Sequence, residues 1–528
     1  MRHTVHPESI GAALQRAAEV HRGSAAYIDS GEIYSYDRMN EIVDRVACGL
    51  LALGLERGDR LGVVGLNQIA WLQLFFAAAR IGVAIVALSV RHRADEVQVM
   101  LSDGNAKAVA ALGQADGFDL IGLIEKLRPG LPSLRYVMRV DDGGPGVVDL
   151  AALARTPVNH ERLDTARVAV MADDVAMVIY TSGTTGRPKG ALLTHRTMLA
   201  AARSQAVHIK ASSTDVLHLA MPFNHVGGIT CEVLMMLLGG GCCELVPAFK
   251  AEVVLDMMVR NPPTLLMGVP TMLTLLLMNL AKIPVDMRSV RLVITGGANA
   301  DDTLLNQLIE NMPHATVMQL YGLSESSGAL VMTPWDASRE ELIQSLGRVL
   351  PDVQVRVVDA DGQDIAQGNV GELWFRSAGV VPGYIGGDAQ ADSLAAGGWL
   401  RTGDLGYIDS SGLIYLKGRS KDMYIQGGFN VYTAEVEGFI ARHPKVLMVA
   451  GIGVPDPVLG EVGRYYVVPK PASGLTVDEI RAQCALHLAD YKIPRQILLR
   501  DELPLTPAGK IHKAALRAET QPQGSAQK

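Results

Sequence analysis

Thr181-Ser182-Gly183-Thr184-Thr185-Gly186-Arg187-Pro188-Lys189-Gly190 stands between two apolar runs. The run before it, Val175-Ala176-Met177-Val178-Ile179-Tyr180, reads as a buried strand. The run after it, Ala191-Leu192-Leu193, leads to Thr194, placed as the N-cap of a helix from His195. A glycine-rich loop between two strands can hold phosphate. Its glycines let backbone N–H groups approach closely, its hydroxyls donate to phosphate oxygens, and Arg187 and Lys189 add positive charge. The spacing is not that of the common P-loop, because Pro188 precedes Lys189 and no Gly-Lys-Ser/Thr ending follows. Read alone, the loop also fits a flexible surface turn.

Outward from this stretch the chain alternates strand and helix. Residues 8–55 read as helix, hairpin, helix, with Ser30-Gly31-Glu32 as the turn and apolar Val43, Val46 and Leu50 on the second helix. From Arg60 a strand, a helix over 69–80 and the strand-like Ala84-Ile85-Val86-Ala87-Leu88 predict a parallel, helix-covered sheet. The rhythm returns from 175 to 330, with strands expected at 216–219, 242–246, 264–267, 291–295 and 316–319. Residues 346–416 change character, with short β-rich runs and turns at Asp361-Gly362 and Ser411-Gly412, which predicts a small β-barrel-like subdomain. A compact α/β module follows from about 420, with a frayed tail from Ala518. The fold class is therefore α/β.

The chain has 528 residues, enough for two to four units of about 150 residues and ample core. Its net charge of −7 argues against a nucleic-acid face, which would be basic. Five cysteines without Cys-x-x-Cys spacing suggest neither a zinc site nor a disulfide framework, and adjacent Cys242 and Cys243 read as buried small residues. Neither the start, Met1-Arg2-His3-Thr4, nor the last residues read as a targeting signal. The apolar run 74–79 falls short of the ~20 residues a membrane span needs, and a cytoplasmic location is the expectation.

The pattern Thr-Ser-Gly-Thr-Thr-Gly-x-Pro-Lys-Gly resembles the phosphate loop of the adenylate-forming, AMP-binding enzymes: acyl- and aryl-CoA ligases, peptide-synthetase adenylation domains and luciferases. At least six segments match that family in its order. Met221-Pro222-Phe223-Asn224-His225-Val226-Gly227-Gly228 would set His225 against the acyl cavity, with Asn224 in place of the usual aromatic; alone, His225 reads as a structural histidine. Thr295-Gly296-Gly297-Ala298-Asn299 would pack its backbone on adenine, at a strand's C-terminal end where open sheets place ligands. In the strand ending at Gln319 and the following Tyr321-Gly322-Leu323-Ser324-Glu325, the resemblance puts Tyr321 on adenine, Ser324 on phosphate and Glu325 on Mg²⁺. A carboxylate beside phosphates suits that hard cation; alone, Glu325 could be a helix-start carboxylate. Asp404, in Trp399-Leu400-Arg401-Thr402-Gly403-Asp404, matches the aspartate that accepts both ribose hydroxyls, although its local reading is an Asx turn. Arg419 matches the arginine that also reaches the ribose, and Lys421 falls at the family hinge.

Gly427-Gly428-Phe429-Asn430-Val431-Tyr432 resembles the CoA ligases, where this backbone lines the slot for the pantetheine arm. Lys510, in Pro504-Leu505-Thr506-Pro507-Ala508-Gly509-Lys510-Ile511, matches the catalytic lysine, though its loop alone reads as a solvated cation. The resemblance implies a large AMP-binding domain over 1–420, carrying the β-rich subdomain 346–416, and a small mobile α/β domain over 421–528. It implies Lys510, Glu325, Thr181 and His225 as catalytic, and nucleotide or CoA contacts from Thr181, Ser182, Gly183, Thr184, Thr185, Gly186, Lys189, Gly297, Ala298, Asn299, Gln319, Tyr321, Gly322, Leu323, Ser324, Asp404, Arg419, Lys421, Gly427, Gly428 and Lys510. ATP, Mg²⁺ and CoA are the implied cofactors and co-substrates, and a carboxylic acid the implied partner. A homodimer stays open. The expected reaction is ATP-dependent acyl-CoA ligation of an apolar aliphatic or alicyclic acid, with aryl-CoA ligation or loading of a carrier protein as alternatives.

Overall fold

The computed structural model describes residues 8–141, 148–181, 189–280, 282–298, 300–386, 393–419, 422–426, 429–506 and 510–520, and the strand counts below are of those residues. Two parallel sheets form the body. In the larger, nine strands lie in the spatial order Arg348–Val349, Gly328–Met332, Thr316–Leu323, Leu292–Gly296, Leu265–Gly268, Val216–Leu219, Cys242–Leu245, Ala25–Asp29 and Glu32–Ser35. Pairing is parallel from Thr316–Leu323 through to Ala25–Asp29 and antiparallel at both margins. Helices on both faces explain why its central strands are continuous apolar runs rather than alternating ones; Leu265–Gly268 is buried along its whole length.

The second sheet has six strands, in the order Lys189–Thr194, Val175–Thr181, Ala84–Leu88, Arg60–Val64, Ala108–Ala111 and Tyr136–Arg139. All its pairings are parallel except the hairpin of Val175–Thr181 with Lys189–Thr194. Thr194 caps the helix His195–His208 as the sequence predicts, its hydroxyl accepting from the Thr197 amide.

Strand ends differ by about a residue from the sequence reading, with one larger exception. The strand expected to stop at Gln319 continues to Leu323, because Gly328–Met332 turns back and pairs with it. Only glycine fits at 322, where a Cβ would lie 2.1 Å from the Gly328 carbonyl oxygen. Cys243 is buried as expected but Cys242 only half so, since neighbours on a strand face opposite sides. The apolar stretch after His225 is buried as core, yet opens with a π-helical segment, Ile229–Leu234, before the α-helix Met235–Gly239. The helix Pro270–Leu280 buries Leu273 and Leu276 and leaves Leu275 and Met278 exposed, so only one side of that apolar run is core.

The β-rich unit is an open half-barrel of Gln354–Val358, Gly371–Arg376, Trp399–Ile408, Leu394–Ala395 and Ile414–Arg419. The last unit has its own sheet, in which Phe429–Tyr432, Met423–Gln426, Gly460–Pro469 and Val446–Asp456 are neighbours and Gln496–Leu499 flanks Gly460–Pro469. Its separate core includes Tyr424, Val431, Val436, Ile440 and Tyr465. Among the described residues no helix is long and apolar enough to cross a membrane.

Candidate active site

The turn that follows the strand Thr316–Leu323 of the larger sheet packs against the hairpin strand Lys189–Thr194 of the second, and the crevice at the C-terminal ends of parallel strands is where α/β proteins bind ligands. Thr181 ends one hairpin strand and Lys189 opens the other, in register opposite it. Ser182, Gly183, Thr184, Thr185 and Gly186 lie outside the described residues, as do Asn299, Lys421, Gly427 and Gly428.

Asn67, next to the second sheet, ties the crevice together. Its side-chain amide donates to the Met221 carbonyl at 2.9 Å and its oxygen accepts from the Phe223 amide at 3.1 Å. Both bonds hold the loop that presents His225. The His225 ring is set deep in the crevice, where burial and then the Lys510 charge hold its pKa down to about 4. It is therefore neutral near pH 7. Nδ1 accepts from the Gly227 amide at 3.1 Å, which leaves the ring proton on Nε2.

Two long-range pairs fix Asp404. Tyr321 donates its hydroxyl to Asp404 Oδ2 at 2.5 Å, and Arg419 donates from Nε to Asp404 Oδ1 at 2.9 Å. Arg419 faces Asp404 because the strands carrying them are paired in register. Thr402 accepts from the Asp404 amide at 3.0 Å, and Glu372 accepts from the Gly403 amide at 2.9 Å, so the aspartate sits on a braced turn. Both its oxygens are bonded, yet each keeps a lone pair for another donor.

Glu325 lies in the short turn Ser324–Ser326, and Tyr384 donates to its Oε1 at 2.8 Å. Gln319 spends its amide N–H groups on the Leu342 and Ser345 carbonyls at 2.6 and 3.0 Å. Gly297 adopts a left-handed φ of 76°, which leaves the strand end bare; a Cβ built there would stand 4.0 Å from Lys510 Nζ. Ala298 beside it is exposed.

Lys510 thus comes from the last unit into the crevice of the body. Its loop is pinched shut, the Lys510 amide donating to Thr506 Oγ1 at 3.2 Å and the Thr506 amide to the Lys510 carbonyl at 2.6 Å. Burial lowers the ammonium's pKa below the usual lysine range and Arg419 adds to this, while Asp404 and Glu325 draw it back. A lysine, an arginine, two carboxylates and a neutral histidine therefore converge beside a glycine-rich hairpin. That set can neutralise a polyphosphate and orient a carboxylate against it.

Sequence reasoning missed Asn67, Glu372 and Tyr384. Pro382-Gly383-Tyr384 marks a turn before a tyrosine, and nothing in that local signal points to Glu325.

Comparison with known proteins agrees with this architecture. Residues 14–385 match the model of the AMP-binding enzymes, and residues 435–510 match that of the AMP-binding enzyme C-terminal domain. The chain belongs to the AMP-binding enzyme family and is an AMP-forming acid–thiol ligase of the acyl-CoA ligase type, a class that uses ATP and CoA. It is similar to the 3-[(3aS,4S,7aS)-7a-methyl-1,5-dioxo-octahydro-1H-inden-4-yl]propanoyl:CoA ligase of Mycobacterium tuberculosis, at 34% identity over 96% of this chain and 98% of that one. The mitochondrial medium-chain acyl-CoA ligase of Mus musculus is 30% identical over 92% of this chain and 83% of its own. Among solved structures, ATP-bound MatB from Rhodopseudomonas palustris superimposes with a TM-score of 0.85 at 28% identity, covering 96% of this chain and 98% of that chain.

Proposed function

We propose that the chain activates an apolar aliphatic or alicyclic carboxylic acid as its acyl-adenylate, releases pyrophosphate, and passes the acyl group to CoA with release of AMP. The observation that carries this reading is Lys510 Nζ beside Gly297, within the electrostatic reach of Glu325, Asp404 and Arg419. A carboxylate is a poor acyl donor because its leaving group would be oxide. Attack of its oxygen on the α-phosphorus forms a C–O–P bond and expels pyrophosphate, a step that needs positioning and charge neutralisation rather than a covalent enzyme intermediate. Lys510 bridges the incoming carboxylate and the phosphates, and the 181–190 hairpin cradles the β- and γ-phosphates. Asp404 receives the ribose hydroxyls, and neutral His225 flanks the acyl group without adding charge.

The donor set near the hairpin also fits Mg²⁺. Tyr384 takes Oε1 of Glu325 while no described residue hydrogen-bonds Oε2, and a carboxylate oxygen is a ligand that a hard cation prefers. Bound there, the ion would supply Lewis-acid neutralisation of phosphate charge.

Residues 421–528 act as a swivelling cap in this reading. Rotation at Lys421 withdraws Lys510 and brings Gly427 and Gly428 toward the adenylate. The CoA thiolate then attacks the acyl carbon, forming C–S and breaking the C–O bond to AMP. An apolar acid is supported by the absence of any basic residue at 226–228, 268–270 and 297–298. The names of the Mycobacterium tuberculosis and Mus musculus relatives point the same way, one to a propanoyl chain on an alicyclic dione and the other to medium-chain acids. Five free cysteines suit a reducing, cytoplasmic setting.

The test is pyrophosphate release with a panel of aliphatic acids of graded length, alicyclic acids and aryl acids, each with and without CoA. Release with an apolar acid and thioester only when CoA is added is the expected result; ATP left intact with every acid would end the proposal. Lys421→Pro, which stiffens the pivot, is expected to spare adenylation and slow thioester formation, measured as separate half-reactions. Thioester formation at the wild-type rate would argue against the hinge.

A further inference from the structure

The segment around Tyr384 joins two parts of the site that come from different sheets. It lies along the outer side of the hairpin strand Lys189–Thr194: the Ile385 amide donates to the Gly190 carbonyl at 2.8 Å, and the Leu192 amide donates to the Gly383 carbonyl at 3.0 Å. Tyr384 itself pairs with Ala191. At the segment's other end the Val381 amide donates to the Glu325 carbonyl at 2.9 Å. From this frame Tyr384, only 3% exposed, delivers its hydroxyl to Glu325 Oε1.

A glutamate side chain that is free to turn loses rotamer entropy when it takes a ligand, and fixing it beforehand removes that cost. A phenol is suited to the task. It donates one hydrogen bond, carries no charge that would repel a cation, and fills one carboxylate oxygen while leaving the other. The backbone bonds set the distance between the phosphate hairpin and Glu325, and the phenol sets the carboxylate's rotation.

We propose that Tyr384 is a positioning residue that presents Glu325 to a divalent cation bound together with the nucleotide. This rests on the reading of Glu325 as the metal ligand given above. The test is equilibrium binding of a fluorescent ATP analogue to the full chain across a Mg²⁺ titration, for wild type, Tyr384→Phe, Glu325→Gln and the double variant. Loss of a hydrogen bond to a charged group should raise the half-saturating Mg²⁺ of Tyr384→Phe about tenfold, with metal-free affinity for the analogue within about twofold of wild type. The double variant should need no more Mg²⁺ than Glu325→Gln alone, because the phenol acts only through that carboxylate. Three outcomes overturn the inference. An unmoved midpoint in Tyr384→Phe, where Glu325→Gln raises it, removes Tyr384 alone. Equal losses with and without metal would make Tyr384 a packing residue. An unmoved midpoint in Glu325→Gln would remove the metal-ligand reading, and this inference with it.

Discussion

Lys510→Ala is expected to slow acyl-adenylate formation by about 10²–10³-fold, the usual loss when a preorganised charge is taken from a developing anion. Arg419 is a poor substitute for the lost ammonium, because it is already committed through its Nε to Asp404. Thioester formation from supplied acyl-adenylate should fall far less, since in the proposed cycle the cap turns for that half-reaction and withdraws Lys510. Pyrophosphate release and thioester formation, assayed separately on one preparation, decide the matter. Equal losses in both would remove Lys510 from the first step. A pH signature accompanies the rate effect. Burial and Arg419 hold the Lys510 pKa below that of an ordinary lysine, so wild-type adenylation should decline at a lower alkaline pH than an ordinary lysine would allow. The variant, having no ammonium to lose, should show no such limb.

The parts of this protein legible in its sequence are those whose cause is local. Thr194 announces its helix because a hydroxyl three residues before Thr197 satisfies a free amide. The strand before the phosphate loop announces itself because a strand covered on both faces must be apolar throughout. Lys510 is an intermediate case. Its loop reads as a solvated cation, and only the ordered motifs upstream mark it for the crevice where the structure puts it. Asn67 and Tyr384 were illegible because tertiary closeness gives them their roles. Asn67 reaches its partner 156 residues away, and Tyr384 reaches one 59 residues away. The turn Ile229–Leu234 was hidden differently. A run of buried residues satisfies a π-helix as well as an α-helix, and only the backbone hydrogen-bond pattern separates them.

That π-helical turn carries a residue with a large expected effect on stability. Glu232 is fully buried, and among the described residues neither carboxyl oxygen has a hydrogen-bond partner. The Met221 amide is close enough to ease its ionisation slightly, short of a hydrogen bond, but burial dominates and raises its pKa well above the usual glutamate value. The groups it influences are the buried thiols of Cys231 and Cys243, neither of which supplies a compensating positive charge. Glu232 is therefore protonated in the folded chain and ionised in the unfolded one across the interval between the two pKa values. In that interval the folded state holds one proton more, so stability falls as pH rises, by about 1.4 kcal/mol per pH unit from this group. Below the ordinary glutamate pKa both states are protonated and the penalty vanishes. Glu232→Gln keeps the shape and a neutral polar head but cannot ionise. Its stability relative to wild type should match below the ordinary glutamate pKa, at about pH 4 and under, and improve as pH rises above it, with thermal or urea midpoints of both proteins at each pH as the measurement. Midpoints that keep a constant separation over that range would mean that Glu232 ionises normally in the fold, through a water or partner that supports its charge.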